Sequence, residues 1–226
     1  MRKKLSFLLA LLVLTVFAFL PSSGLAKASE NLTQQEIDNL LTNNGVISPT
    51  SRVTTSDEMT AIENYYQENP NAVEENIEVI LEKLNLEQVE IISTEEINQF
   101  NNINTKNIQP MNTLPNAGMV MFRNVTHSDK LFYATLYARN IGVDSIDQIG
   151  GRVYGYAILP NTDYSTIVLN EFFNETYIKP FLDRKIGDYN FAHHKNRASF
   201  MAEYVVREGD QVVTPTPAGV SFVGMK

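Results

Sequence analysis

Hydrophobic positions change their period partway along the chain. Up to Phe100 they recur at helical spacing, and from Met119 onward they alternate with polar ones. In the first stretch, Thr33 and Glu36 form a capping box ahead of Ile37, Leu40 and Leu41, and Gly45 reads as the stop. Thr55 and Glu58 repeat the device ahead of Met59, Ile62, Tyr65 and Tyr66. Asn69-Pro70 ends that helix, because a residue before proline is driven out of the helical region. Asn71 is the expected cap of a third helix, with Val73, Ile77, Ile80, Leu81 and Leu84 on one stripe. Gln88 to Ile92 reads as a short strand or as more helix, and Ser93 with Glu96 as the start of a brief fourth helix to Phe100.

In the second stretch Phe132, Ala134, Leu136 and Ala138 face one way, and Tyr133, Thr135, Tyr137 and Arg139 the other. Ala198, Phe200, Ala202, Tyr204 and Val206 repeat the alternation. Val153 to Leu159 and Tyr164 to Leu169 are further strands, with Met119 to Val125 and Gly219 to Val223 pairing at the edges. Turns are expected at His127-Ser128-Asp129, Gly150-Gly151, Pro160-Asn161 and Glu208-Gly209-Asp210. Glu171 to Arg197 fits a strand pair or a short helix. The pattern predicts an α+β chain: a small acidic helical N-terminal region followed by an antiparallel β-sandwich.

Charge divides the chain at the same place. Residues 29–109 hold 15 acids against 3 bases, a net of −12, whereas residues 110–226 hold 11 of each. The expected organisation is a signal peptide over 1–28, an acidic helical region over 29–100, an Asn/Pro-rich linker over 101–117 and a β-sandwich domain over 118–226. A fragment from residue 115 onward is expected to fold alone. Glu74, Glu78 and Glu82 share one face of the expected third helix, as a solvated surface or as a docking face for a basic partner.

The N-terminus predicts export. Arg2, Lys3 and Lys4 precede an apolar run of 16 residues, Leu5 to Leu20, interrupted only by Ser6 and Thr15. Pro21 to Gly24 breaks it, and Ala26-Lys27-Ala28 supplies the small residues of a cleavage site after Ala28. An uncleaved membrane anchor is the alternative reading of the run. The expected protein is secreted, free of the membrane after cleavage, and carries a formal charge near −12, since the signal holds 4 of the bases in a chain of net −8. That charge disfavours nucleic acid as a partner. With 0 Cys, disulfides and thiolate chemistry are excluded.

Little catalytic chemistry is legible, and the balance of patterns leans against an enzyme. The histidines are His127, His193 and His194, and no H-E-x-x-H occurs. His193 and His194 are adjacent, so in a strand they point to opposite faces and cannot share a metal; in a loop they would need Asp188 as a third ligand. Asp144 and Asp147 flank a turn without a twelve-residue calcium loop, Gly150-Gly151 lacks a following Lys-Ser or Lys-Thr, and Ser221 is not in a nucleophile elbow. No metal and no cofactor is expected.

Tyr137 to Asp147, reading Y-A-R-N-I-G-V-D-S-I-D, followed by Gly151-Arg152-Val153-Tyr154, resembles a strand, turn and return strand of small secreted proteins of Gram-positive bacteria. The resemblance implies a helical N-terminal segment and an immunoglobulin-like β-sandwich, with no established activity. It implies no catalytic residues.

Three functions remain open. The first is a non-enzymatic binding or interaction module for a protein or a cell-wall polysaccharide. Its expected binding residues are Tyr133, Tyr137, Tyr154 and Tyr156, four rings on one sheet face brought together across a turn at Gly150-Gly151. The second is a small secreted hydrolase gathering His193 or His194 with Asp188 and Ser199 or Tyr189. The third is a secreted inhibitor or toxin-like factor acting through its helices.

Overall fold

The computed structural model describes residues 30–93, 95, 118–128, 131–159, 162–192 and 197–223. The signal segment, the 101–117 linker, His193–His194 and residues 94 and 96–100 of the expected fourth helix fall outside the described residues, whereas Ser93, its expected start, is in a strand. Among the described residues three helices come first: α1 (Gln34–Asn44), α2 (Ser56–Glu68) and α3 (Ile77–Lys83), with a 3₁₀ turn at Pro70–Glu74. Nine strands follow: β1 (Ile91–Ser93), β2 (Gly118–His127), β3 (Leu131–Asn140), β4 (Ile146–Ile158), β5 (Tyr164–Ile178), β6 (Asp183–Ala192), β7 (Arg197–Glu208), β8 (Gln211–Val213) and β9 (Ala218–Val223). The described chain is α+β, and every strand pair in it is antiparallel.

Both capping boxes form: Thr33 accepts from Glu36 N and Thr55 from Glu58 N, and each glutamate returns to its cap backbone. The third helix differs from the sequence reading. Pro70 opens a 3₁₀ turn, Glu75 is extended, and the helix restarts behind Asn76, whose Oδ1 accepts from Glu78 N at 3.0 Å. Asn76, not Asn71, is therefore the cap. Val73 is left 58% exposed, and Glu74 does not share a helix with Glu78 and Glu82.

One sheet has the order β1-β5-β4-β7-β8, with β9 also on β7, and the other β2-β3-β6. Glu171 to Ala192, the described part of the uncertain span before β7, is two strands in different sheets, β5 on β4 and β6 on β3. The sheets face each other through the residues that alternation placed inward. Phe132 on β3 stacks on Phe200 of β7 at 5.0 Å, and Phe191 of β6 meets both edge-on. Ala134, Leu136, Ala138, Val153 and Ala202 complete this layer, each fully buried.

The other face of the large sheet is covered too. Residues from Asn31 onward form one compact unit. Ile37 and Leu41 of α1 sit on Val205, and Ile47 on Tyr154, Tyr156, Ile167 and Met201. Polar side chains of the strands tie this layer down. Gln148 pairs with both backbone groups of Leu32, at 2.7 and 2.8 Å. Arg152 takes Asp38 with two nitrogens, Asn170 donates to the carbonyls of Pro49 and Ser51, and Thr166 donates to Glu90 O. Each polar group satisfied at this junction avoids the cost of burial without a partner.

Gly150 and Gly151 lie in the middle of β4, not in a turn. A Cβ on Gly150 would meet Ile37 Cδ1, and one on Gly151 would meet the Glu203 carbonyl. The pair is small because a helix and a neighbouring strand both come close there. The real β3–β4 turn is built by Asn140, whose Oδ1 accepts from Gly142 N while Nδ2 donates to the carbonyls of Asp144 and Ile178.

Candidate binding surface

Because Phe132, Ala134, Leu136 and Ala138 fill the core, their alternates on β3 turn to the outer side of the three-stranded sheet. There Tyr133 and Tyr137 are half-buried, flanked by β2 and β6. A bulge between Leu136 and Tyr137 keeps Asp183, Lys185 and Asp188 of β6 opposite Arg139, Tyr137 and Thr135.

Two ionic clusters hold this face. Asp183 accepts two bonds from Arg139, at 2.6 and 3.0 Å, and one from Arg123 at 2.6 Å. Those bonds hold its carboxyl below the usual range, the Arg139 contribution first. Arg123 also lies over the Tyr137 ring at 5.0 Å. In the second cluster Asp188 accepts from Lys185 at 2.6 Å, Tyr133 at 2.7 Å and Thr135 at 2.9 Å. Those three bonds, with Lys185 largest, lower its carboxyl to about 2. Both carboxylates are locked in the charged form, and both rings are pinned by a neighbour.

Tyr154 and Tyr156 are elsewhere. They belong to the six-stranded sheet and face the helical layer, 0% and 3% exposed. The expectation of four rings on one face therefore fails: β3 and β4 enter different sheets through the Asn140 turn, and no turn at Gly150-Gly151 exists to bring them side by side. Burial raises both phenols above their ordinary range, and neither hydroxyl has a hydrogen-bond partner among the described residues.

The described members of the hydrolase set do not converge either. Asp188 points outward, Tyr189 beside it on β6 turns into the core, and Ser199 is on β7 of the other sheet. Asp147 accepts from Gly209 N at 2.6 Å, tying β4 to the β7–β8 turn. Among the described residues no three His, Cys, Asp or Glu side chains are grouped to hold a metal.

Sequence reasoning missed Glu203. It is 1% exposed, on the helix-facing side of β7, and its Oε1 accepts from Val46 N at 2.6 Å while Oε2 has no hydrogen-bond partner among the described residues. Burial pushes its carboxyl up to about 7, against the lowering effect of the Val46 and Ile47 amides. The available signal was Met201 and Val205 on either side of it, apolar residues on a face that alternation assigns to solvent.

No family model and no curated protein matches the chain. The CARDB domain of a Pyrococcus furiosus protein, solved in complex with di-metal ions, is similar at 16% identity over 50% of this chain and 96% of its own, with a TM-score of 0.32. A Kluyveromyces marxianus β-glucosidase overlaps 49% of this chain at 9% identity and a TM-score of 0.30, over 15% of its own length. Its glucose complex does so over 14%. At these TM-scores the overlaps transfer neither a fold nor an activity. Among the described residues no helix is long and apolar enough to cross a membrane.

Proposed function

We propose that this is a secreted, non-enzymatic binding module, an immunoglobulin-like β-sandwich that engages its ligand through the outer face of β2-β3-β6. The strand connectivity supports the sandwich reading. The chain passes from β3 to β4, from β5 to β6 and from β6 to β7 between sheets, leaving β2-β3-β6 opposite β5-β4-β7-β9, as a Greek-key sandwich does.

The observation that carries the binding reading is the state of the charged groups beside Tyr133 and Tyr137. Asp183 and Asp188 are tied up by Arg123, Arg139, Lys185, Tyr133 and Thr135, so neither carboxyl is poised to exchange a proton. What the face offers is two fixed rings with polar edges, suited to stacking on a cell-wall polysaccharide or on a protein backbone. Secretion, with cleavage after Ala28, rests on the tripartite N-terminus. N-terminal sequencing of exported material is expected to begin at Ser29.

The test is retention on isolated cell walls. Tyr133→Ser with Tyr137→Ser is expected to abolish retention while the double variant still melts cooperatively. Retention that survives the change overturns the reading.

A further inference from the structure

A groove of about 390 Å³ runs along α3, lined by Glu78, Leu81, Glu82, Glu87, Val89 and Ile91. It follows from how α3 ends. Asn85 takes φ 55, in the left-handed region. Leu86 N–H reaches back to Leu81 O at 2.7 Å and Asn85 N–H to Glu82 O at 3.0 Å, the paired bonds of a Schellman turn. The chain thus doubles back, so that Glu87, Val89 and Ile91 line the same groove as α3. Leu81 and Val89, each 4% exposed, and half-buried Ile91 form an apolar floor.

Among the described residues no cation pairs with the exposed carboxylates around that floor. Glu78 and Glu82 repeat one helical turn apart, a spacing at which like charges disfavour the helix. Lys83, the cation of α3, is held by Glu75 at 2.6 Å. None of Glu78, Glu82 and Glu87 is in an ion pair among the described residues. The surrounding stretch has 15 acids against 3 bases over residues 29–109, so it has few cations to offer them.

We propose that this groove docks a basic, partly apolar peptide segment of another protein, with lysine or arginine heads on Glu78, Glu82 and Glu87 and an apolar side chain over Leu81 and Val89. Charge complementarity selects the partner, because a groove with unpaired acids around an apolar floor matches alternating cationic and apolar side chains. The site is separate from the sheet surface, and each can fail without the other.

The probe is a labelled peptide of alternating lysine and leucine, titrated by anisotropy against the exported protein. Binding is expected, weakening at least about tenfold when salt is raised from about 50 to about 300 mM. Glu78→Gln with Glu82→Gln and Glu87→Gln is expected to weaken it at least about tenfold more than the equal-charge control Asp57→Asn, Glu68→Gln, Glu74→Gln. Circular dichroism melts establish that both variants fold. Equal losses in the two variants would show mere acidity and overturn the proposal. Equal binding of a lysine–serine peptide overturns the role of the apolar floor. Self-association of the free protein in sedimentation, abolished by the groove variant, overturns it in favour of a second copy of this chain.

Discussion

Arg152, in the middle of β4, grips Asp38 of α1 with Nε at 2.7 Å and a terminal nitrogen at 2.9 Å. The side chains are 13% and 23% exposed, so the contact is largely withdrawn from water. Asn170 takes another nitrogen of the same guanidinium at 2.9 Å. A fork of this kind fixes both the position and the rotation of the helix on the sheet.

Asp38→Asn is expected to cost about 1–3 kcal/mol, because it removes the charged acceptor and leaves a partly buried guanidinium short of one partner. Urea unfolding measures it. A double-mutant cycle with Arg152→Met is expected to show strong coupling, and additive losses would mean that the pair does not act as a unit.

Gly150→Ala is expected to destabilise by about 1–3 kcal/mol, since the new methyl enters the space of Ile37 Cδ1. Ile37→Val in the same chain is expected to recover part of that loss. Recovery in thermal melts would locate the strain in this contact.

Glu203 makes stability fall as pH rises. Its carboxyl is raised by burial from an ordinary 4.5 to about 7, so the folded state holds a proton that the unfolded chain releases. The contribution is present in full below 4.5 and is lost as pH rises through 7. Unfolding free energies from denaturant curves at pH 5 and pH 8 are expected to differ by up to about 3 kcal/mol from this group. Glu203→Gln, neutral throughout, is expected to flatten that slope, and an unchanged slope would refute the assignment.

A fragment of residues 118–226 is the direct test of the boundary suggested by charge. It removes Ile37, Leu41 and Ile47, which cover Val205, Tyr154, Tyr156 and Met201. It also takes Val46 from Glu203, Leu32 from Gln148 and Asp38 from Arg152. The fragment is expected to melt broadly and to bind a hydrophobic dye, in contrast to the whole chain. A sharp melt would mean that the sheets need no cover.

Local signals read well where one principle governs. The capping boxes at Thr33 and Thr55, the inward set on β3 and the outward Tyr133 and Tyr137 were all legible, because each depends on neighbours within a few residues. Reading failed where a distant segment decides. Gly150-Gly151 carries the composition of a turn, yet its smallness answers to Ile37 and Glu203, which the local sequence does not reveal. Tyr154 and Tyr156 have the same alternation as Tyr133 and Tyr137. What separates them is a second layer over their sheet, supplied by residues more than a hundred positions earlier. Gln148, Arg152 and Glu203 carry no local sign of their partners for the same reason: period two distinguishes faces, but not water from a polar partner.

The ties between the helical layer and the strands also set an order of events during synthesis. Val46 finds its acceptor on Glu203, 157 residues later, and Leu32 meets Gln148 116 residues on. A ribosome delivers the helices first, yet their seat is finished only when β7 emerges. Until then Ile37 and Leu41 lack Val205 to cover, and Ile47 lacks Met201. Before β7 is made, the 15 acids against 3 bases over residues 29–109 repel one another and oppose premature collapse of the helical stretch on itself.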